Sequence, residues 1–126
     1  LILNHESMKP IYIQIAEWLE TEIIKGNLDV DDKIYSQYQL ADLLNINPAT
    51  AGKGLTKLLD DGIVYKKRGL GMFVTENARE HILLRRKNET LKVMIEDLVK
   101  EANYLQVSNE ELLRMIEATR NKRGSD

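Results

Sequence analysis

The chain contains no cysteine, which excludes disulfide frameworks, thiolate zinc sites, iron–sulfur clusters and cysteine nucleophiles. Histidine is scarce: His5 and His81 have no paired ligand or nucleophile at a workable spacing. No glycine loop of the phosphate-cradling kind follows a strand and opens a helix, so no catalytic residue, metal site or cofactor is expected. Long hydrophobic runs are also missing. The longest, such as Ile82–Leu84 and Ile63–Tyr65, fall far short of the roughly 20 apolar residues that cross a membrane. No signal-peptide pattern opens the chain, so a reducing, cytoplasmic setting without a membrane partner is expected. A surplus of positive charge is lacking too: 18 Lys and Arg face 20 Asp and Glu, for a net charge of -2. That excludes a uniformly basic coat for nucleic acid but not a local patch, because electrostatic footprints are local. The 126 residues, 43% hydrophobic, fit one soluble domain with an appendage.

What is present is ordered by period and by caps. From Pro10, the residues Ile11, Ile15, Trp18, Leu19, Ile23 and Ile24 recur near 3.6, while Glu17, Glu20 and Lys25 take the other face. This predicts a first helix over about 10–25, with Pro10 in its first turn and Gly26–Asn27 as its stop. Residues 1–7 read as a frayed lead-in. Leu28–Lys33, carrying Asp29, Asp31 and Asp32, reads as a loop leading to a short extended piece at Ile34–Tyr35. Ser36 followed by Gln39 is a capping box for a second, short helix that Asn45 closes. Asn47 as cap and Pro48 as first-turn residue then open a third helix, with Ala51, Leu55, Leu58 and Leu59 on its apolar side. Two short helices joined by a tight turn form a helix-turn-helix pattern. Ile63–Lys67 and Met72–Thr75 read as strands around the connection Arg68-Gly69-Leu70-Gly71, a small hairpin. The fold class is therefore mainly α with a small β-hairpin: a winged helix-turn-helix domain over residues 9–75.

Residues 76–120 read as a short two-helix tail. With Asn77 as cap and no Gly or Pro before Gly124, a continuous helix is expected. In it, Leu84, Asn88, Leu91, Ile95, Leu98, Ala102 and Leu105 follow alternating steps of four and three. Such a heptad seam predicts dimerisation through Leu84, Leu91, Ile95, Leu98 and Leu105, a reading preferred over packing within the chain. Ser108 and Glu111 form a second capping box before Leu112, Leu113, Met115 and Ile116, which predicts a short last helix folding back on the long one. Residues 120–126 are expected to fray.

DNA recognition needs a slim helix for the major groove, polar groups near its start and cations for phosphates. The third helix presents Asn47, Ala49, Thr50, Lys53 and Lys57. Gly52 and Gly54 oppose helix formation by about 1 kcal/mol each relative to Ala. They are either tolerated or serve a close approach to a sugar-phosphate edge. Between residues 47 and 74, Lys53, Lys57, Lys66, Lys67 and Arg68 outweigh Asp60 and Asp61, a local net of +3 in a chain of net -2. The acid of the first helix and of the Asp29–Asp32 loop should then face away from DNA. Gly69 and Gly71 let the wing tip turn and approach the minor groove, with Arg68 at its base. A winged helix used for protein interaction is the alternative, and the clustering of Lys53, Lys66, Lys67 and Arg68 speaks against it.

An ordered set of motifs resembles the GntR family of bacterial transcription regulators: Pro10-Ile11-Tyr12, Gln14-Ile15, Gly26, Ser36, Leu40-Ala41, Asn47-Pro48-Ala49-Thr50, Lys53, Leu58, Asp61-Gly62-Ile63-Val64 and Arg68 to Val74. The Asn-Pro-x-Thr opening and the short helical tail resemble its YtrA-like subfamily. The resemblance implies a homodimeric regulator, usually a repressor, on a two-fold symmetric operator, with helix 48–60 in the major groove and wing 63–75 at the minor groove. By motif position, Thr50 and Lys53 match groove or phosphate contacts, and Gly69 and Gly71 match the wing tip. The sequence departs from the family where Tyr38, Pro48 and Gly52 replace frequent arginines, which removes guanidinium groups that would read guanine. Tyr38 either meets a phosphate, the preferred reading, or packs on the third helix, and Ser36 joins the DNA-binding set beside it. Relatives of this type often control adjacent transporter operons. Two helices per subunit are too few to enclose a sizeable pocket. An unidentified small-molecule effector, if one acts, would therefore sit at the dimer interface or between wing and tail, near Tyr104 or Trp18.

Overall fold

The computed structural model describes residues 1–124 of the chain. The apolar spacing from Ile11 becomes helix α1 (Ile11–Lys25), which buries Ile15, Ala16, Leu19 and Ile23. Pro10 stands at the cap, one residue outside the expected first turn, and Gly26 ends the helix in the left-handed region at φ 84°. The lead-in is not frayed. The Gln14 side chain accepts from the Asn4 N–H at 2.9 Å and donates to the Asn4 and Lys9 carbonyls, and Leu3 packs against the core.

Helix α2 (Gln37–Leu44) opens with the full capping box. The Gln39 N–H donates to Ser36 Oγ at 3.1 Å and the Ser36 N–H to Gln39 Oε1 at 2.8 Å. Asn45 closes it at φ 54°. Helix α3 (Pro48–Asp60) starts with Pro48 in first position, and Asn47 Oδ1 accepts the Ala49 N–H at 2.8 Å. Strands β1 (Val64–Lys67) and β2 (Gly71–Val74) pair antiparallel, with Val64 opposite Val74 and Lys67 opposite Gly71. The wing connection is thus residues 68–70, shorter by Gly71 than the sequence implied. Ile34 is more than an extended piece: its N–H donates to the Met72 carbonyl at 2.9 Å, and Lys33 bridges Phe73.

Helix α4 (Ala78–Arg85) adds Ala78 and Ile82 to the core formed by α1, α2, α3 and the hairpin. Its Asn77 carbonyl accepts the His81 N–H at 3.0 Å. Residues 1–85 form one compact unit and the residues from 86 onward a second.

In the second unit the helical path is not uniform. Arg86–Leu91 is a π-helical turn, followed by α5 (Lys92–Tyr104) and α6 (Asn109–Gly124). The seven-residue repeat from Leu84 to Leu91 assumed an α period that this turn, with its wider winding, interrupts. None of its residues is buried, so core packing does not hold the α period there. The last helix is neither short nor folded back. Gln106 at φ 57° turns the chain and Val107 bonds back to Ala102, but α6 does not pack along α5 and leaves Leu113, Met115 and Ile116 exposed. Residues 120–124 continue α6 instead of fraying, since its exposed last turns keep their helical bonding; Ser125 and Asp126 lie outside the described residues.

Gly54 is buried against α1, which overturns its reading as a sugar-phosphate approach, whereas Gly52 is half-buried. A Cβ on Gly54 would stand 3.1 Å from the Tyr12 carbonyl oxygen and 3.2 Å from Ile15 Cγ2, so the glycine sets how closely α3 seats on α1. A Cβ on Gly52 would meet the Gln37 side-chain amide, nearest at Oε1, 3.1 Å away, the movable end of a side chain. The two positions should therefore respond oppositely to alanine. Gly52→Ala should stabilise by up to about 1 kcal/mol through helix propensity. Gly54→Ala should destabilise by about 1 kcal/mol or more, because overpacking against backbone exceeds that gain. Urea unfolding followed by Trp18 fluorescence checks both, and equal shifts of the midpoint would contradict the assignment.

Candidate nucleic-acid interface

The first turn of α2, one side of α3 and the wing meet around a cleft of about 220 Å³, lined in part by Ser36, Tyr38, Leu55, Lys66 and Gly71. Capping fixes the starts of α2 and α3. Ser36 and Asn47 each spend a side-chain oxygen on a helix N-terminus, so both are positioned by the backbone they cap. Tyr38 is 66% exposed and stands clear of the core. Ala49 is exposed and Thr50 half-buried at the start of α3.

Lys53 is exposed, with its ammonium 4.8 Å from the centre of the Tyr12 ring. Lys57 is engaged otherwise. Its Nζ lies 3.0 Å from Asp61 Oδ2, and the same oxygen faces Arg85 Nη1 at 3.4 Å. Arg85 in turn pairs with Glu20, which is buried on α1. The ion chain Lys57, Asp61, Arg85 and Glu20 thus ties the end of α3 to α1 and α4.

On the wing, Gly69 takes φ 78° and Gly71 φ 118°, values that L side chains rarely adopt. Together they let Arg68 and Leu70 stand exposed at the tip. Arg68 and Lys66 make no ion pair among the described residues. Lys67 lies over the Phe73 ring at 4.6 Å and near Tyr65 at 5.7 Å. The acidic loop is not remote from this surface. The Asp31 N–H donates to the Val74 carbonyl, and the Tyr65 hydroxyl donates to Asp31 Oδ1 at 2.6 Å. That hydrogen bond, with smaller contributions from desolvation and from the Asp31 charge, raises the Tyr65 pKa above the ordinary phenol value. A raised pKa makes the contribution of this tie complete at neutral pH and lost only as alkali ionises the phenol. Asp29 and Asp32 are partly satisfied by the loop's own backbone, Asp32 Oδ2 accepting the Asp29 N–H at 2.7 Å.

Sequence reasoning missed Lys33, which lines the cleft and rests its stem against Gly71: a Cβ there would stand 2.9 Å from Lys33 Cε. Only the pairing of Lys33 with Phe73, 40 positions away in the chain, puts it beside the wing. In the second unit, Leu91, Ile95, Leu98 and Leu105 are exposed at 49%, 49%, 42% and 64%, while Ala102 is buried; Leu84, in the first unit, is also exposed. Trp18 stacks on Tyr35 at 5.9 Å, and Tyr104 is exposed. No helix among the described residues is long and apolar enough to cross a membrane.

No family model matches the chain. It is 32% identical over 110 residues to the HTH-type transcriptional repressor YtrA of Bacillus subtilis (strain 168), an alignment covering 87% of this chain and 84% of that one. A GntR family transcriptional regulator from Listeria monocytogenes has a similar solved structure, with a TM-score of 0.73 and 28% identity over 90% of this chain and 97% of its own. AraR(DBD), solved in complex with operator ORX1, matches 60% of this chain and 93% of its own at 28% identity and a TM-score of 0.54.

The ion chain makes a checkable claim about how α3 is held. Arg85→Met should destabilise the fold by about 2 kcal/mol. This is below the roughly 3–5 kcal/mol for a fully buried pair, because the Arg85 side chain keeps 25% of its exposure. A denaturation midpoint equal to that of the parent chain would show that Glu20 does not depend on Arg85.

Proposed function

The chain belongs to the GntR family of transcriptional regulators, in its YtrA-like branch, and on that premise we propose that it is a homodimeric repressor of a transporter-linked bacterial operon. Residues 9–75 bind DNA and residues 76–120 dimerise. The reading rests chiefly on one observation: exposed Lys53, Lys66 and Arg68 stand on α3 and the wing, the elements whose geometry suits a groove and its phosphates. Helix α3 enters the major groove with Ala49, Thr50 and Lys53 toward the bases and backbone. The wing tip, Arg68 to Gly71, lies at the minor groove. Ser36 and Tyr38 meet the flanking phosphates from the start of α2, and Asn47 sets the entry of α3. Lys57 contributes charge from farther along the helix, its ion pair with Asp61 limiting that contribution.

A second copy of the chain covers the exposed stripe of Leu91, Ile95, Leu98 and Leu105, and Leu84, itself exposed, is assigned to dimerisation with them. Leaving so many large apolar side chains in water is unfavourable at roughly 25 cal/mol per Å² of apolar surface, which favours association. The operator is then two-fold symmetric, with half-sites about one helical turn, roughly 34 Å, apart.

Charge reversal tests the DNA face. Lys53→Glu and Arg68→Glu should each weaken duplex binding by about tenfold or more, roughly 1.4 kcal/mol, while leaving the unfolding midpoint near that of the parent. Unchanged affinity in folded variants would contradict the assignment. The double variant Leu91→Glu with Leu98→Glu should sediment as a monomer and bind DNA more weakly, whereas a dimer that persists would place the interface elsewhere.

A further inference from the structure

The most informative feature outside the groove-facing residues is the contact between Lys53 and the first helix. The Lys53 ammonium lies 4.8 Å from the centre of the Tyr12 ring, within the distance at which a ring quadrupole attracts a cation. The contact is built by the backbone. One residue farther along α3, Gly54 has room for no Cβ without crowding the Tyr12 carbonyl at 3.1 Å and Ile15 Cγ2 at 3.2 Å. The helices therefore touch at this turn, and the residue before the contact is carried over the Tyr12 ring. Tyr12 is itself half-buried in α1, so its ring is held while Lys53 remains exposed.

We propose that Tyr12 is a positioning residue for DNA binding: its ring holds the Lys53 ammonium at the groove end of α3 before DNA arrives. An exposed lysine has several rotatable bonds and loses that freedom when it engages a phosphate. A ring beneath the ammonium removes part of that freedom in advance, leaving less ordering to be done in the complex. The phenol oxygen has no part in this, because the attraction is to the ring face. The inference rests on the assignment of Lys53 to the DNA face, and the test separates the two.

The experiment measures binding to a mixed-sequence DNA duplex for the full chain and for Tyr12→Leu, Tyr12→Phe and Lys53→Met, together with the double variant of Tyr12→Leu and Lys53→Met. Unfolding midpoints accompany each measurement. Tyr12→Leu should weaken binding about two- to fivefold, the scale of an exposed cation–ring contact, and Tyr12→Phe should preserve it. In the Lys53→Met background, Tyr12→Leu should have no further effect, which a merely structural role of the ring would not produce. If Lys53→Met weakens binding but Tyr12→Leu does not, or if Tyr12→Leu costs the same factor in both backgrounds, the positioning role is overturned and the DNA face stands. If Lys53→Met itself leaves binding unchanged, both the face and the positioning role are overturned.

Discussion

The seating of α3 on α1 is the constraint from which the rest of the first unit follows. Ile15 and Leu19 of α1 bury against Ala51, Leu55 and Leu58 of α3, and Gly54 lets the two backbones approach at one turn. Interiors at close-packed density respond to a single added carbon, so this one contact sets the height and tilt of the helix offered outward. The polar side of α3 is what remains after that packing. Its start is fixed by Asn47 and Pro48, and its end is moored by Asp61 to Arg85 and through it to Glu20. A helix held at both ends and along one side can present Ala49, Thr50 and Lys53 with little reorganisation, which favours recognition.

The wing is anchored in a similar way. Val64 and Val74 are buried in the core, while Lys66, Arg68 and Leu70 extend from it exposed. A strand-like edge at Lys33–Ile34 and the Asp31 N–H brace the second strand from outside, and the Asp31 carboxylate holds Tyr65 of the first. The acidic loop thereby stabilises the basic wing, an arrangement that net charge alone does not disclose. A chain of overall charge -2 can carry a basic surface because electrostatic footprints are local; beside it, Asp61 faces cations, Asp31 a phenol, and Asp29 and Asp32 local backbone.

Much of the first unit was legible in the sequence because its signals are local. Ser36 with Gln39, Asn47 with Pro48, and Gly69 with Gly71 each encode a cap or a turn within a few residues, and the structure realises all three. The role of Gly54 was not legible, since a glycine within a helix does not name the element that crowds it. Lys33 and the pairing of Arg85 with Glu20 depend on contacts far apart in the chain, 65 positions in the latter case. In the second unit, counting by 3.5 or 3.6 presumes an α-helix and cannot detect the π turn at Arg86–Leu91. The capping signal at Ser108 located the start of α6 but carried no information on its direction.

The central claim is that two copies of this chain read one symmetric DNA site. The most direct measurement is selection of duplexes from a random pool, followed by the stoichiometry and salt dependence of binding to the enriched sequence. Two chains on a two-fold symmetric site, with affinity falling steeply as salt rises, is the expected result. A single chain per duplex, an enriched site without symmetry, or no enrichment at all would contradict it.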